Sequence, residues 1–505
     1  MFRRLLGKSP PVRPDEQTHN ASGGSAPSSS SEDTPKELDL DEMVKAVLRA
    51  DDGNVFETVM DQFATFALAR RELPGGTVDD VLGAMISAID ERLCAQLNEI
   101  LHHPGFQALE GAWRGLEYLI ANVEWDAKLK LRVMNFSRDE LQSTLKTASR
   151  GASPHGPLSN ALFEEVYRTS EGEPYGVMVL DQGIANSAED AELLTNLGRI
   201  CARAQTVLLA GLSPALYTSR DIAGAQGASG EGDRPELDHP AWTELRQNLT
   251  SRYIGMCLPR ILGRSPYRGN ADPGEGFVFN EDVSPGTASG FLWINSAYAM
   301  AANIGRSART YGWAVRIRGV EGGGEVDGLP EVVVPSAGGS SEVMPPVEIV
   351  LDERREAELA KAGLIPLLHR KRTARAVFFS AQSLNLPRAG EVLDPEQKAR
   401  DAVLRRLPYT LCASRYAHCI MRMAADWREP LGETFERHVQ AWLGRSVHPR
   451  PWELNPEQRA LFPLQEARFT LTGEGSGQAA VLEVIPGFQF EGLGVSIRLQ
   501  LTLPA

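Results

Sequence analysis

The sequence predicts a mixed α/β (α+β) protein: a core of strands and helices, an all-helical lead-in before it and β-strands at the C-terminal end. Three observations lead there. First, Leu82, Met85, Ile86, Ile89, Leu93, Leu97 and Ile100 recur at helical spacing, and Leu109, Trp113, Leu116 and Ile120 follow at steps of four, three and four. Second, apolar runs at 175–180 and 206–212 flank a helical stretch at 188–204, the pattern of a βαβ unit with a parallel strand pair. Third, Val495, Ile497, Leu499 and Leu501 alternate with Ser496, Arg498, Gln500 and Thr502, the clearest period of two in the chain.

Composition narrows the class. At 505 residues the chain can bury a large core, and its 42% apolar fraction is ordinary for a soluble globular protein. A net charge of −14, with acids spread along the chain, argues against nucleic acid and against an anionic membrane surface. Cys94, Cys201, Cys257, Cys412 and Cys419 contain no CxxC pair and read as reduced thiols of a cytoplasmic protein. Arg3 and Arg4 are followed by no apolar region, so no secretory signal is expected. The most apolar helix-like run, 291–305, is shorter than the ~20 residues a bilayer requires. It also holds Asn295, Ser296 and Asn303, and no membrane insertion is expected.

In chain order, residues 1–38 are rich in Ser, Pro, Gly and charge and are expected to form a disordered tail. Helices are predicted at 38–50 and 55–71, with a break at Leu73-Pro-Gly-Gly76. Thr77 and Asp80 make a capping-box-like start for the next helix. Pro104 suits the first turn of a helix over 104–120, whose apolar stripe reads as core with Trp113 as its aromatic anchor. Glu110 and Arg114 suit a surface pair four residues apart. The helical region is thus 39–125.

An α/β core over 126–390 follows. Leu129, Leu131 and Val133 alternate with charged residues and predict a half-buried strand. Further strands are predicted at 276–279, 314–319 and 376–381, helices at 291–310 and 352–362, and a polar loop at 224–238. Asp394 before Pro395 marks a helix start and opens a helical segment, 391–448, with breaks at Pro408 and Pro430. Strands at 467–472, 479–485 and 493–503 fill the last region, 449–505.

No catalytic pattern survives inspection. GxxxxGK[ST] is absent: Gly7-Lys8-Ser9 has its ending, but Phe2 stands where the first glycine belongs. Gly322-Gly-Gly324 reads as a turn or close backbone contact rather than a dinucleotide loop. Neither GxSxG nor HExxH occurs. Cys412 and Cys419 share a helix face, but His418 points about 100° away, and core packing is the favoured reading. His102 and His103 lie at a helix entrance, where capping and packing suffice. Catalytic, cofactor and metal residues are therefore all expected to be absent.

The wording of the blocks is more specific than their periodicity. Residues 101–120 read LHHPGFQALEGAWRGLEYLI. Tyr253-Ile-Gly-Met-Cys-Leu-Pro-Arg260, Phe291-Leu-Trp293-Ile-Asn295 and Gly322-Gly-Gly324 follow. Then come Asp352-Glu-Arg-Arg-Glu356, Gly363-Leu-Ile-Pro-Leu-Leu-His-Arg-Lys371 and Phe378-Phe-Ser-Ala-Gln-Ser-Leu384. Leu407-Pro-Tyr409, Ala417-His418 and Gly492-Leu-Gly-Val-Ser-Ile-Arg-Leu499 close the series. In this order, over residues 55–503, the chain resembles the large subunit of the type VI secretion contractile sheath, the TssC (VipB) family. Ile294, where the family commonly has glycine, is a local departure.

The resemblance implies a phage tail-sheath-like core and a structural rather than enzymatic role. It implies an obligate heterodimer with the small sheath subunit (TssB, VipA) that polymerises with neighbouring sheath protomers around an inner tube of Hcp protein. It also implies attachment to a baseplate and disassembly of the contracted sheath by a ClpV-type AAA+ ATPase. The family's ClpV-recognition element lies mainly on the small subunit, so no such site is assigned here. Expected subunit contacts are Trp113 and Arg114 on the 104–120 helix, Asp352, Arg354 and Arg355, and the C-terminal Val495, Ile497, Leu499 and Leu501. These last four are read as a linker strand exchanged between protomers, the alternative being an intramolecular meander. A cytoplasmic α/β enzyme without a recognisable motif, and a sheath protein of another contractile device, are the competing readings.

Overall fold

A computed structural model describes residues 78–126, 128–149, 156–169, 172–217, 237, 239–269, 277–283, 290–335, 341–387, 394–472, 479–488 and 495–504. The expected tail, the helices at 38–50 and 55–71, and all of the 224–238 loop but Leu237 lie outside these. Two compact units divide the chain, Met1–Ile89 and Asp90–Ala505. Of the first, the described part is the opening of helix α1 (Val78–His102).

In the second unit, the His103 ring caps α2 (Pro104–Ala121), Nδ1 accepting from Gly105 N at 3.2 Å, with Pro104 in the first turn. The central layer is a six-stranded sheet. Its strands are β1 (Val177–Ile184), then helix α3 (Ala188–Ala204), β2 (Val207–Leu212) and β3 (Ile254–Leu258). After helix α4 (Ala297–Tyr311) come β4 (Glu325–Val326), helix α5 (Glu353–Lys361), β5 (Ile365–Arg370) and β6 (Arg375–Phe378). The spatial order is β1-β2-β3-β5-β6-β4. The first four strands are parallel, and β6 pairs antiparallel with β5 and β4.

Both faces of this sheet are covered, which explains the unbroken apolar run of β2. Val207 and Leu209 pack on the α4 side with Met300 and Ile365, while Leu208 and Ala210 pack on the α3 side with Leu194 and Trp242. Three further helical elements follow: residues Pro395–Leu404, α6 (Leu407–Asp426) and α7 (Glu433–Gly444). Asp394 and Gln397 form a reciprocal capping box. The chain ends in an antiparallel meander, β7 (Leu464–Thr472), β8 (Ala479–Pro486) and β9 (Ile497–Thr502). Tyr416, Phe435, Phe469 and Leu482 fill the core between this sheet and the helices.

Several expectations are corrected. The stripe of α2 does not face the core: Leu109, Trp113 and Ile120 are 59%, 66% and 49% exposed. The buried face carries Gly111, Gly115, Tyr118 and Leu119 instead. A Cβ at Gly115 would lie 2.3 Å from the Tyr298 ring, so α2 approaches α4 through its small residues and turns the large ones outward. Residues 128–133 form no strand, because they pair with no other strand among the described residues. Residues 277–279 and 314–319 lie outside any strand; the latter are tied by Gly319 N donating to Phe378 O at 2.8 Å. The helix expected from 291 begins at Ala297, because Trp293–Ile294 pairs with Ile261–Leu262. Pro408 sits in the first turn of α6, so the expected break falls just before it, at residues 405–406. Gly322-Gly-Gly324 does form a turn: Gly323 has φ +81°, and a Cβ at Gly324 would meet Phe378 O at 2.3 Å.

Candidate assembly surfaces

The C-terminal meander has two unlike edges. On β7, Gln440 of α7 donates from Nε2 to Ala467 O at 2.8 Å and accepts from Phe469 N at 3.0 Å. Glu436 accepts from Leu471 N at 3.1 Å. Residues 467, 469 and 471 therefore turn their backbone groups away from β8, and Arg468 and Thr470 turn theirs toward it. Register carries the alternation across. Phe469 stands opposite Leu482, and Leu482 opposite Leu499. Leu482 then bonds Leu499, and β9 presents the N–H and C=O of Arg498, Gln500 and Thr502 outward. Among the described residues, no hydrogen bond reaches those outward groups.

This settles what the four C-terminal candidates do within one chain. Val495, Ile497 and Leu501 are buried, Leu499 is half-buried, and all four pack into the core shared with α6 and α7. Their side chains serve the chain's own meander. What β9 offers outward is backbone.

The second surface surrounds the α1–α2 elbow. Arg264, 8% exposed, donates to Glu281 at 2.5 and 3.0 Å and to Glu110 at 2.7 Å. Glu281 also accepts from Tyr267 N at 3.0 Å and lies 3.4 Å from His102 Nε2. Burial alone would raise the Glu281 carboxyl, but the Arg264 and Tyr267 hydrogen bonds outweigh it and hold the pKa below the ordinary carboxylate value. Burial works against the Arg264 charge, and the two carboxylates overcome it and raise its pKa. Removing either Arg264 or Glu281 would strand a buried charge, at a cost of about 3–5 kcal/mol. Arg114 reaches the rim of this cluster, 3.6 Å from Glu110 and 2.8 Å from Glu117, while Trp113 stands beside it in solvent. The sequence reading found the Glu110–Arg114 pair but missed Arg264 and Glu281, which lie far away in the chain and share no motif with it.

The third set lies at α5. Asp352 caps the helix by accepting from Arg355 N at 2.7 Å. Arg354 and Arg355 both reach Glu358, at 3.3 and 3.4 Å. Arg354 is exposed and Arg355 is not. The structure thus separates the predicted contacts into three surfaces. His418 is buried, with Nε2 2.8 Å from Ala204 O. Burial pushes its pKa down to about 4, with the Ala204 bond opposing this in part. Cys412, six residues earlier on α6, is also buried, and burial pushes its thiol pKa up. Among the described residues no group of three or more His, Cys, Asp or Glu is placed to hold a metal, and no helix is long and apolar enough to cross a membrane.

Comparison with known proteins adds four findings. Residues 83–385 match the VipB family, described as the EvpB/VC_A0108 tail sheath N-terminal domain. Residues 396–503 match the companion VipB_2 family, the tail sheath gpW/gp25-like domain. A curated relative, the type VI secretion system sheath protein TssC1 of Pseudomonas aeruginosa, is 39% identical over 460 residues, covering 89% of this chain and 91% of that protein. The sheath tail protein Lin1278 from Listeria innocua is 10% identical with a TM-score of 0.33, over 67% of this chain and 59% of that one; a likeness at that score carries no argument.

Proposed function

The chain belongs to the VipB (TssC) family of type VI secretion tail-sheath proteins, as a homologue of the large sheath subunit, and from that premise we propose how it works. It pairs with a small sheath subunit, and the pairs polymerise around an inner tube of Hcp protein in the bacterial cytoplasm. The polymer starts from a baseplate, and a ClpV-type ATPase takes apart the contracted form. The chain performs no catalysis. Free energy is held in an extended lattice and released as packed interfaces shift between two discrete arrangements.

The observation that carries this reading is the open edge of β9 beside the completed edge of β7. A regular strand with a free outward ladder is a template for a strand from another molecule. We assign region 449–505 to that coupling. One strand pair is a modest contact; repeated along a polymer it becomes a strong one. Trp113, Arg114 and the α5 face of Asp352, Arg354 and Arg355 are the side-chain contacts of the same assembly. The exposure of Trp113 and Arg354 supports that role.

Co-expression with the small sheath subunit, followed by electron microscopy, tests the proposal. A soluble complex that forms tubular sheaths is the expected result, whereas the chain alone should aggregate. A monodisperse monomer at micromolar concentration, indifferent to the small subunit, would overturn it.

A further inference from the structure

Residues 130–136 carry a strand's sequence but sit in no sheet. Lys130, Arg132 and Asn135 are interspersed with Leu131, Val133, Met134 and Phe136, and these four apolar side chains are 37%, 68%, 41% and 38% exposed. Among the described residues no hydrogen bond engages the backbone of residues 130–136. The segment is nevertheless held at both ends. Leu129 packs on the α4 side of the central sheet, and Leu141 packs on the α3 side. Lys130 meets Glu173 at 2.7 Å, Arg132 meets the Tyr175 hydroxyl at 3.0 Å, and Arg138 meets Asp190. The segment therefore crosses the edge of the sheet just before β1 begins.

The edge it crosses is open as well. β1 is the outermost strand, and no hydrogen bond from beyond the sheet reaches the backbone of Val177 or Val179 among the described residues. Leu109, Trp113 and Ile120 of α2, the helix that precedes the segment, are exposed apolar side chains as well. An apolar surface of this kind fits a permanent partner, since obligate interfaces resemble a core cut in half. A contact between copies that must shift when a polymer contracts fits it poorly.

We infer that residues 130–136 become a β-strand only in the complex, pairing with an extended strand of the small sheath subunit. The basic residues Lys128, Lys130 and Arg132 favour a partner strand with acidic residues among its apolar ones. Two sides of the conflict then agree: the alternation is the strand's own, and the missing ladder is the partner's to supply. The inference rests on the pairing proposed above.

Hydrogen exchange on the complex co-purified with the small subunit tests it. Alternate amides of residues 131–136, those that face the partner strand, should exchange roughly 100-fold or more slowly than their unstructured reference rates, as paired strands do. Fast exchange there in an intact complex would overturn the inference while leaving the pairing itself in place. Protection that appears only in assembled sheaths would also overturn it, in favour of a neighbouring copy of this chain. Failure of the two chains to co-purify would overturn both. As a second arm, Val133→Pro removes one donor at an exposed position and should cut recovery of the complex at least several-fold, while Val133→Thr should not. Equal recovery of both variants would count against the strand.

Discussion

Along β7, the amides of Phe469 and Leu471 and the carbonyl of Ala467 meet Gln440 and Glu436 of α7; along β9, the outward groups of Arg498, Gln500 and Thr502 meet no protein group among the described residues. Both strands belong to one meander and share one core. The difference is that a helix lies against one edge with polar side chains at the right height, and among the described residues no hydrogen bond reaches the other. An edge completed internally is closed to strangers. An edge left regular and open is available, and it stays specific because β9 is pinned in register through Ile497 and Leu501 in the core. The β1 edge of the central sheet differs from both: among the described residues it is open at Val177 and Val179, but its register shifts between Leu180 and Gly183, a local bulge.

Three substitutions probe this contrast, the largest effect first. Ile497→Pro removes a ladder donor facing β8 and a buried side chain, so it should destabilise the meander itself, by about 3 kcal/mol or more. The measurement is the denaturation midpoint and soluble yield of the complex; an unchanged midpoint would mean that β9 is not part of the fold. Gln440→Ala combined with Glu436→Ala uncovers β7 and removes three hydrogen bonds, at about 1 kcal/mol each. A loss below about 0.5 kcal/mol in urea denaturation would erase the distinction between covered and open edges. Trp113→Ala should alter the stability of the chain by less than about 0.5 kcal/mol, since Trp113 is 66% exposed, yet lower recovery of the complex. A large stability loss with unchanged recovery would return Trp113 to the core.

Local rules made part of this legible. The cap at Asp394, the βαβ unit at β1-α3-β2 and the alternation of β9 each follow from neighbours in sequence, and each is present. Longer-range facts were not legible. Periodicity shows that Leu109, Trp113 and Ile120 share a face of α2, but it cannot say whether that face meets the chain's own core or another molecule. Here Gly111 and Gly115 decide the matter by letting the opposite face approach α4. The sequence reading gave no element to β3 or β5, whose short apolar runs look alike as strand or helix. The Arg264 cluster depends on residues brought together only by the fold. At residues 128–133 the pattern reads as a strand, and a strand also needs a neighbour, which the described residues do not supply.

The central claim is that β9 joins protomers through its outward backbone, and Gln500→Pro tests it most directly. The Gln500 N–H points away from β8, so proline there should leave the chain's own ladder intact and cost less than about 1 kcal/mol. Electron microscopy of the complex with the small sheath subunit is the readout. The account predicts a soluble complex of normal stability and no sheaths. Sheaths of normal length and number from this variant would contradict it.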